Sequence, residues 1–220
     1  MLDFSKGVRF GLGAGLLVGG FLSGNAMAED GRAPRNTYVG AAYEAADSRC
    51  AIEPSDTGIA GYTVEGSLGV FKWLHLNGSY FDGETDGAVR DQNNEAITDG
   101  SADVSCYSVG AGLSWAFAEG ADVILRGSYV DVEYDLGDVD GFKPELIARY
   151  RVTERTEIEF GMAYYNLDGD DTEEIDNTEI RGHLTYNLWP WLALRAGGSL
   201  FDNDSSIDVG VRAYFGGDLF

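Results

Sequence analysis

Two histidines and two cysteines are the chain's whole supply of imidazole and thiol: His75, His183, Cys50 and Cys106. A base of this kind serves catalysis only beside a nucleophile and within reach of substrate. His75 falls near one end of an alternating run of residues and His183 near the middle of another, both on the polar parity. This placement predicts interior histidines held by their neighbours. The chain has no H-E-x-x-H, G-x-S-x-G or phosphate-cradling loop outside its first segment. Two acidic stretches, Asp168-Gly169-Asp170-Asp171 and Glu173-Glu174-Ile175-Asp176, offer carboxylate oxygens to a hard cation. Their spacing departs from a calcium loop, because Gly169 stands where a spacer between ligands belongs. They read as a solvated acidic loop with weak divalent bridging to phosphate as its further use. Arg49 and Arg90 are the loop cations that could meet such phosphates directly. The expectation is no catalytic residue, no metal and no cofactor.

The surrounding composition narrows the scaffold. Of 220 residues, 31 are Gly and 4 are Pro, 12% are aromatic and 44% hydrophobic. There is no G-X-Y period, so collagen is excluded, and the apolar content is too high for a disordered chain. A net charge of -22 excludes a nucleic-acid partner, which would need a basic face.

Residues 1–28 read as an export signal. Lys6 and Arg9 precede an apolar stretch from Phe10 to Leu22, and Ala26-Met27-Ala28 supplies a small-x-small cleavage pattern. The apolar stretch is shorter than the roughly 20 residues a spanning helix needs. Residues 29–220 then form one domain.

That domain alternates with period two. Tyr62, Val64, Gly66, Leu68 and Val70 interleave with Thr63, Glu65, Ser67 and Gly69. Ten such runs are legible: 37–46, 59–71, 73–83, 103–117, 121–135, 141–153, 156–168, 177–188, 191–203 and 205–216. Their length suits tilted strands across a bilayer. Tight links fall at Phe71-Lys72-Trp73, Ala118-Glu119-Gly120, Thr153-Glu154-Arg155 and Trp189-Pro190. Longer polar connections run over 47–58, 83–102 and 168–174. The prediction is an antiparallel up-and-down transmembrane β-barrel of ten strands, with eight as the alternative and both termini on the short-turn side. A soluble barrel, with the apolar set inside, is the competing arrangement.

After the short turns the chain repeats apolar-x-apolar-x-small-x-Tyr, as in Leu74, Leu76, Gly78, Tyr80. Tyr80, Tyr129 and Tyr164 should therefore sit at one height, with Trp73, Phe117, Trp189 and Trp191 at the other end. This predicts two aromatic girdles. The opposite parity carries Glu65, His75, Arg126, Lys143, Glu145, Arg149, Arg151, Glu157, Glu159, Arg181, His183, Arg195, Asp208 and Arg212. In hydrocarbon each charge would cost several kcal/mol, so in a membrane barrel they must face one another in the lumen. Glu157 and Glu159 are expected to lie between Arg149 and Arg151 on one side and Arg181 on the other, a ladder that blocks free diffusion.

With these features the chain resembles the small outer-membrane β-barrels of Gram-negative bacteria, porin-like and opacity-type proteins of eight to ten strands. The resemblance implies an outer-membrane location, loops extracellular and termini periplasmic. It also implies contact with outer-membrane lipid and lipopolysaccharide, and delivery by the barrel assembly machinery. Phe220 would be the terminal aromatic read by that machinery, although it falls out of phase with Ile207, Val209, Val211, Ala213 and Phe215; Gly216-Gly217 could be the bulge that restores it. The functional expectation is a monomeric, non-enzymatic barrel with a structural or surface-interaction role and a largely plugged lumen. A small pore for ions or solutes is the alternative, and a barrel enzyme acting on lipid or peptide the third. Export places Cys50 and Cys106 in an oxidising compartment, on neighbouring features of one rim, and predicts a disulfide between them.

Overall fold

The computed structural model describes residues 36–46, 58–87, 100–134, 137–169, 172–201 and 204–215. The expected signal segment, Cys50, Arg49, Arg90 and Phe220 lie outside the described residues.

Ten strands follow in chain order: β1 (Tyr38–Ala46), β2 (Ile59–Phe71), β3 (Leu74–Thr85), β4 (Asp103–Ala118), β5 (Ala121–Tyr134), β6 (Gly137–Arg151), β7 (Thr156–Gly169), β8 (Thr172–Trp189), β9 (Leu192–Phe201) and β10 (Asp204–Tyr214). Each pairs antiparallel with its sequence neighbours, and β1 pairs with β10 from Tyr38↔Tyr214 to Ala46↔Ser206, closing the barrel. Closure leaves no strand edge without a partner, which a sheet in hydrocarbon requires.

Strands end close to where the alternation ends, with one systematic difference. β6 starts at Gly137 rather than 141, and β8 at Thr172 rather than 177. The stretch expected as a long acidic loop over 168–174 is mostly strand, with a short hairpin joining Gly169 to Thr172. Carboxylates read as loop chemistry, yet Asp138, Asp140, Asp168 and Asp176 are exposed on the outer face while Val139 and Leu167 point inward. Alternation persists beyond the apolar zone, and the outward position exchanges apolar for acidic side chains. The long connections are therefore the two between β1 and β2 and between β3 and β4; the other three on that end are short.

At the opposite end the turns are tight. Gly120 takes φ 75° in the β4–β5 turn, a left-handed conformation that glycine adopts without a Cβ clash. Register shifts precede three of these turns, between Gly69 and Phe71, Ala116 and Ala118, and Asn187 and Trp189. Such bulges sharpen the local twist where the chain reverses.

The burial pattern settles which parity faces out. Phe160, Leu200, Ile207 and Val209 are each at least 60% exposed, whereas Arg149, Glu145 and Arg212 are below 5%. A soluble barrel would show the reverse. Aromatic rings bound the apolar band at both ends. Phe71 stacks on Trp73 with centroids 5.5 Å apart and Trp189 on Trp191 at 6.0 Å, with Trp115, Phe117 and Tyr150 exposed beside them. At the other end Tyr80, Tyr129 and Tyr164 are exposed, joined by Tyr43, Tyr62, Tyr107 and Phe142, which the repeat does not mark. The fold is that of an outer-membrane-type transmembrane β-barrel.

Candidate functional site

The lumen holds the protein's unusual chemistry, in three layers. At the short-turn end Tyr38 and Tyr214 meet edge to face, 6.1 Å apart, and Ala193 packs with them. Arg212 lays its guanidinium 3.9 Å from the Tyr38 ring centroid, a cation–π contact. Beside them Arg149 donates to both oxygens of Asp122, Nε to Oδ1 at 3.0 Å and Nη2 to Oδ2 at 2.6 Å. His75 is buried here, its Nδ1 3.4 Å from Ser114 Oγ.

The middle layer is a belt of charge. Contacts run from Arg126 to Glu145 (3.0 Å), Glu145 to Arg181 (2.6 Å), Arg181 to Glu159 (3.7 Å), Glu159 to His183 (3.8 Å) and His183 to Asp208 (2.9 Å). They continue from Asp208 to Arg195 (3.5 Å), Arg195 to Glu65 (3.6 Å) and Glu65 to Arg212 (2.9 Å). Each carboxylate of the belt meets a guanidinium and each guanidinium a carboxylate, with His183 set between Glu159 and Asp208, which limits the desolvation cost of the charges. On the strands outside this chain of contacts, β1 presents Ala42 and the buried Glu44, which accepts from Thr63 Oγ1 at 3.1 Å, while β3 and β4 present Asn77, Ser79 and Ser108, the two serines hydrogen-bonded at 2.8 Å.

Glycine makes the belt possible. Arg212 and Glu65 stand on β10 and β2, both opposite Gly40 of the intervening β1. His183 and Asp208 stand on β8 and β10, both opposite Gly197 of β9. Arg181 crosses Gly161 of β7 to reach Glu145 on β6; a Cβ there would lie 2.9 Å from Arg181 Nε. In each case the glycine leaves space for an ion pair or charged hydrogen bond to pass over a strand. The sequence showed the glycine excess and the charges but not this relation, which needs the register of three strands at once.

Not every expected pairing forms. Arg149 lies opposite Glu159 on β7 but turns to Asp122 on β5, a partner the sequence reading does not name. Arg181 does reach Glu159. Arg151 lies opposite Glu157, and among the described residues no ion pair joins Glu157 to Arg149. Lys143 places its ammonium 5.1 Å from the Tyr165 ring centroid.

The third layer, at the long-connection end, is apolar. Ile59, Phe81, Val104, Cys106, Val130, Val132, Val139, Ala163, Tyr165, Leu167 and Phe201 form one buried cluster drawn from seven strands. Tyr165 and Phe201 are 6.2 Å apart and Tyr165 donates to Glu179 at 3.0 Å. Nothing in the charge-ladder expectation anticipates this cap. Cys106 is part of it and is disulfide-bonded rather than free. Between cap and short-turn layer the lumen keeps a cavity of about 100 Å³, lined by belt residues and by Asn77, Ser79, Ser108 and Ser128. Outside the membrane zone, hydrogen bonds from Tyr164 and Asn166 hold the Asp176 carboxyl below the usual carboxylate range. Among the described residues no group of His, Cys, Asp or Glu is arranged to hold a metal ion.

No protein-family model matches the chain, and no curated protein is similar to it in sequence. Solved structures are similar in fold. The COG4313 outer membrane channel from Pseudomonas putida F1 is 14% identical, with a TM-score of 0.48, over 85% of this chain and 99% of that one. The NanC porin is 12% identical, with a TM-score of 0.47, over 81% and 99%. The outer-membrane expressed OmpT of Vibrio cholerae is 14% identical, with a TM-score of 0.39, over 72% of this chain; the match spans 56% of the OmpT chain.

Proposed function

We propose that the protein is a closed, non-enzymatic barrel of the outer membrane with a structural or surface-interaction role. Residues 1–28 direct export, the termini face the periplasm and the long connections face outward. Outer-membrane lipid and lipopolysaccharide surround it, and Phe220 presents it to the barrel assembly machinery. Cys50 is the partner of Cys106, tying the first long connection to the lumen cap. One observation carries the reading: a belt of alternating charge lies beneath an apolar cap, inside a barrel narrow enough for side chains to fill. Steady ion flow would need both layers displaced.

The polar cavity favours a second reading, a narrow path for water or small ions. Planar-bilayer recording of refolded protein decides between them. The closed reading expects no steady conductance, and currents in the nanosiemens range overturn it.

A further inference from the structure

The two ends of the lumen are shut by different means, and this difference points to the end that opens. The cap at the long-connection end is an apolar layer contributed by seven strands. The short-turn mouth has only the small Tyr38–Tyr214–Ala193 group and, beside it, a polar crossing. Asn36, just ahead of β1, accepts a hydrogen bond at Oδ1 from Arg149 Nη2 at 2.7 Å and donates from Nδ2 to Ser114 Oγ at 3.4 Å. Arg149 belongs to β6, five strands from β1 in either direction around the barrel, and Ser114 to β4. One amide thus spans the mouth from wall to wall. Thr37, next along the chain, accepts from Gly69 N through Oγ1 at 3.0 Å and from Phe215 N through its carbonyl at 3.1 Å, which fixes the root of the crossing to β2 and the residue after β10.

Behind the crossing lie buried polar atoms with no protein hydrogen bond. They include the donors Arg126 Nε, Arg181 Nε and Arg212 Nε, and the acceptor oxygens Asn77 Oδ1 and Asp208 Oδ1, the last 3.5 Å from Arg195 in the belt. All five residues line the 100 Å³ cavity. Donors and acceptors mixed in one small space suit water, which supplies both. A hydrophobic ligand would leave them unpaired, and a simple anion would face the carboxylates of Glu65, Glu159 and Asp208.

We infer that the mid-lumen is a one-ended chamber for water and small polar solutes, entered from the short-turn mouth, with the Asn36–Arg149 hydrogen bond as its latch. The inference rests on the closed-lumen reading and says where that closure is weakest. When the amide releases, Arg149 keeps both bonds to Asp122, so the mouth opens without stranding a buried charge.

The test places a thiol in the chamber, Ser128→Cys, in the otherwise intact protein, and follows its reaction with a small, uncharged methanethiosulfonate. Three backgrounds are compared: wild type at the mouth, Asn36→Ala, and Phe81→Ala in the cap. Arg149→Gln repeats the mouth arm with a different atom removed, and heat-modifiable migration on gels confirms that each barrel is folded. Asn36→Ala should speed modification by at least about tenfold, the restraint of a charge-assisted hydrogen bond, while Phe81→Ala should change it little. A thiol equally slow with Asn36→Ala and Arg149→Gln overturns the latch, as does one fast already in the wild type or speeded only by Phe81→Ala. Bilayer recordings separate this from the broader reading. A failed latch with no wild-type conductance leaves the closed barrel standing, whereas wild-type conductance removes both.

Discussion

Arg212 and Glu65 form an ion pair of 2.9 Å across the strand that lies between them, and Gly40 on that strand is what lets them meet. The strand is β1, the one that closes the barrel against β10, so the bond clasps the seam. A Cβ at position 40 would sit 3.0 Å from Glu65 Oε1 and 3.2 Å from the Val211 carbonyl. Gly40→Leu should therefore push the clasp apart and lower unfolding stability by about 1–3 kcal/mol, read as a shift in the urea midpoint of the folded barrel in detergent. Gly78→Leu, on the outer face, is the comparison and should shift it less.

Arg181 supports two carboxylates, Glu145 at 2.6 Å and Glu159 at 3.7 Å. Removing it leaves Glu145 with Arg126 and Glu159 with His183. Arg181→Ser should cost roughly 3–5 kcal/mol, the range for breaking one side of a buried pair. Replacing Arg181, Glu145 and Arg126 together by Met should recover much of this, because Glu145 and Arg126 are then removed as a pair and Glu159 keeps His183. Urea unfolding of the single and triple variants checks both statements; a triple variant as unstable as the single would show that packing, not charge, sets the cost.

These relations mark the limit of what the sequence made legible. Alternation located all ten strands because each parity has a consistent chemistry, as at Ile158, Phe160 and Met162 against Glu157 and Glu159. It could not extend β8 to Thr172, since solvated carboxylates look alike in a strand and a loop. It placed charges in the lumen but not their partners. Arg149 has Glu159 beside it on β7 and Asp122 beside it on β5, and the choice depends on side-chain direction. The cap was hidden for a related reason: Val130, Val139 and Leu167 share the lumen parity with Arg126, Glu145 and Glu159, and only height along the barrel separates them.

The aromatic ends fix depth in the bilayer. Trp73, Trp115, Trp189 and Trp191 are all exposed on the outer face near the short turns, where their amphipathic rings suit the headgroup level. In liposomes of brominated lipid, their fluorescence should be quenched strongly by bromines near the headgroups and weakly by bromines near the chain ends. Strong quenching by chain-end bromines would place the band elsewhere.

Cys106 is disulfide-bonded within the apolar cap. With Cys50 as its partner, unreduced protein should take up no maleimide even when unfolded, and should migrate faster than reduced protein on a denaturing gel. Cys50→Ser leaves the cap residue in place and removes the bond. It should lower stability by roughly 2–4 kcal/mol, the usual effect of a native disulfide, and leave planar bilayers silent. Maleimide uptake by unreduced wild type would set the pairing aside.

Two layers obstruct the lumen, and this changes what opening it requires. Arg149 and Arg181 sit in or below the charged belt, while Phe81, Tyr165 and Phe201 belong to the cap. Replacing both arginines with Ser should destabilise the barrel, since Asp122 and Glu145 lose partners, but the apolar cap still lies across the path. Replacing Phe81 and Phe201 with Ala removes ring volume from the cap, yet the belt from Arg126 to Arg212 remains below it. Each pair of changes should leave planar bilayers nearly silent. Combining all four should produce steady single-channel steps, provided the barrel still migrates as folded. If the arginine variants conduct as well as the fourfold variant, the cap is no barrier and the charged belt is the whole obstruction.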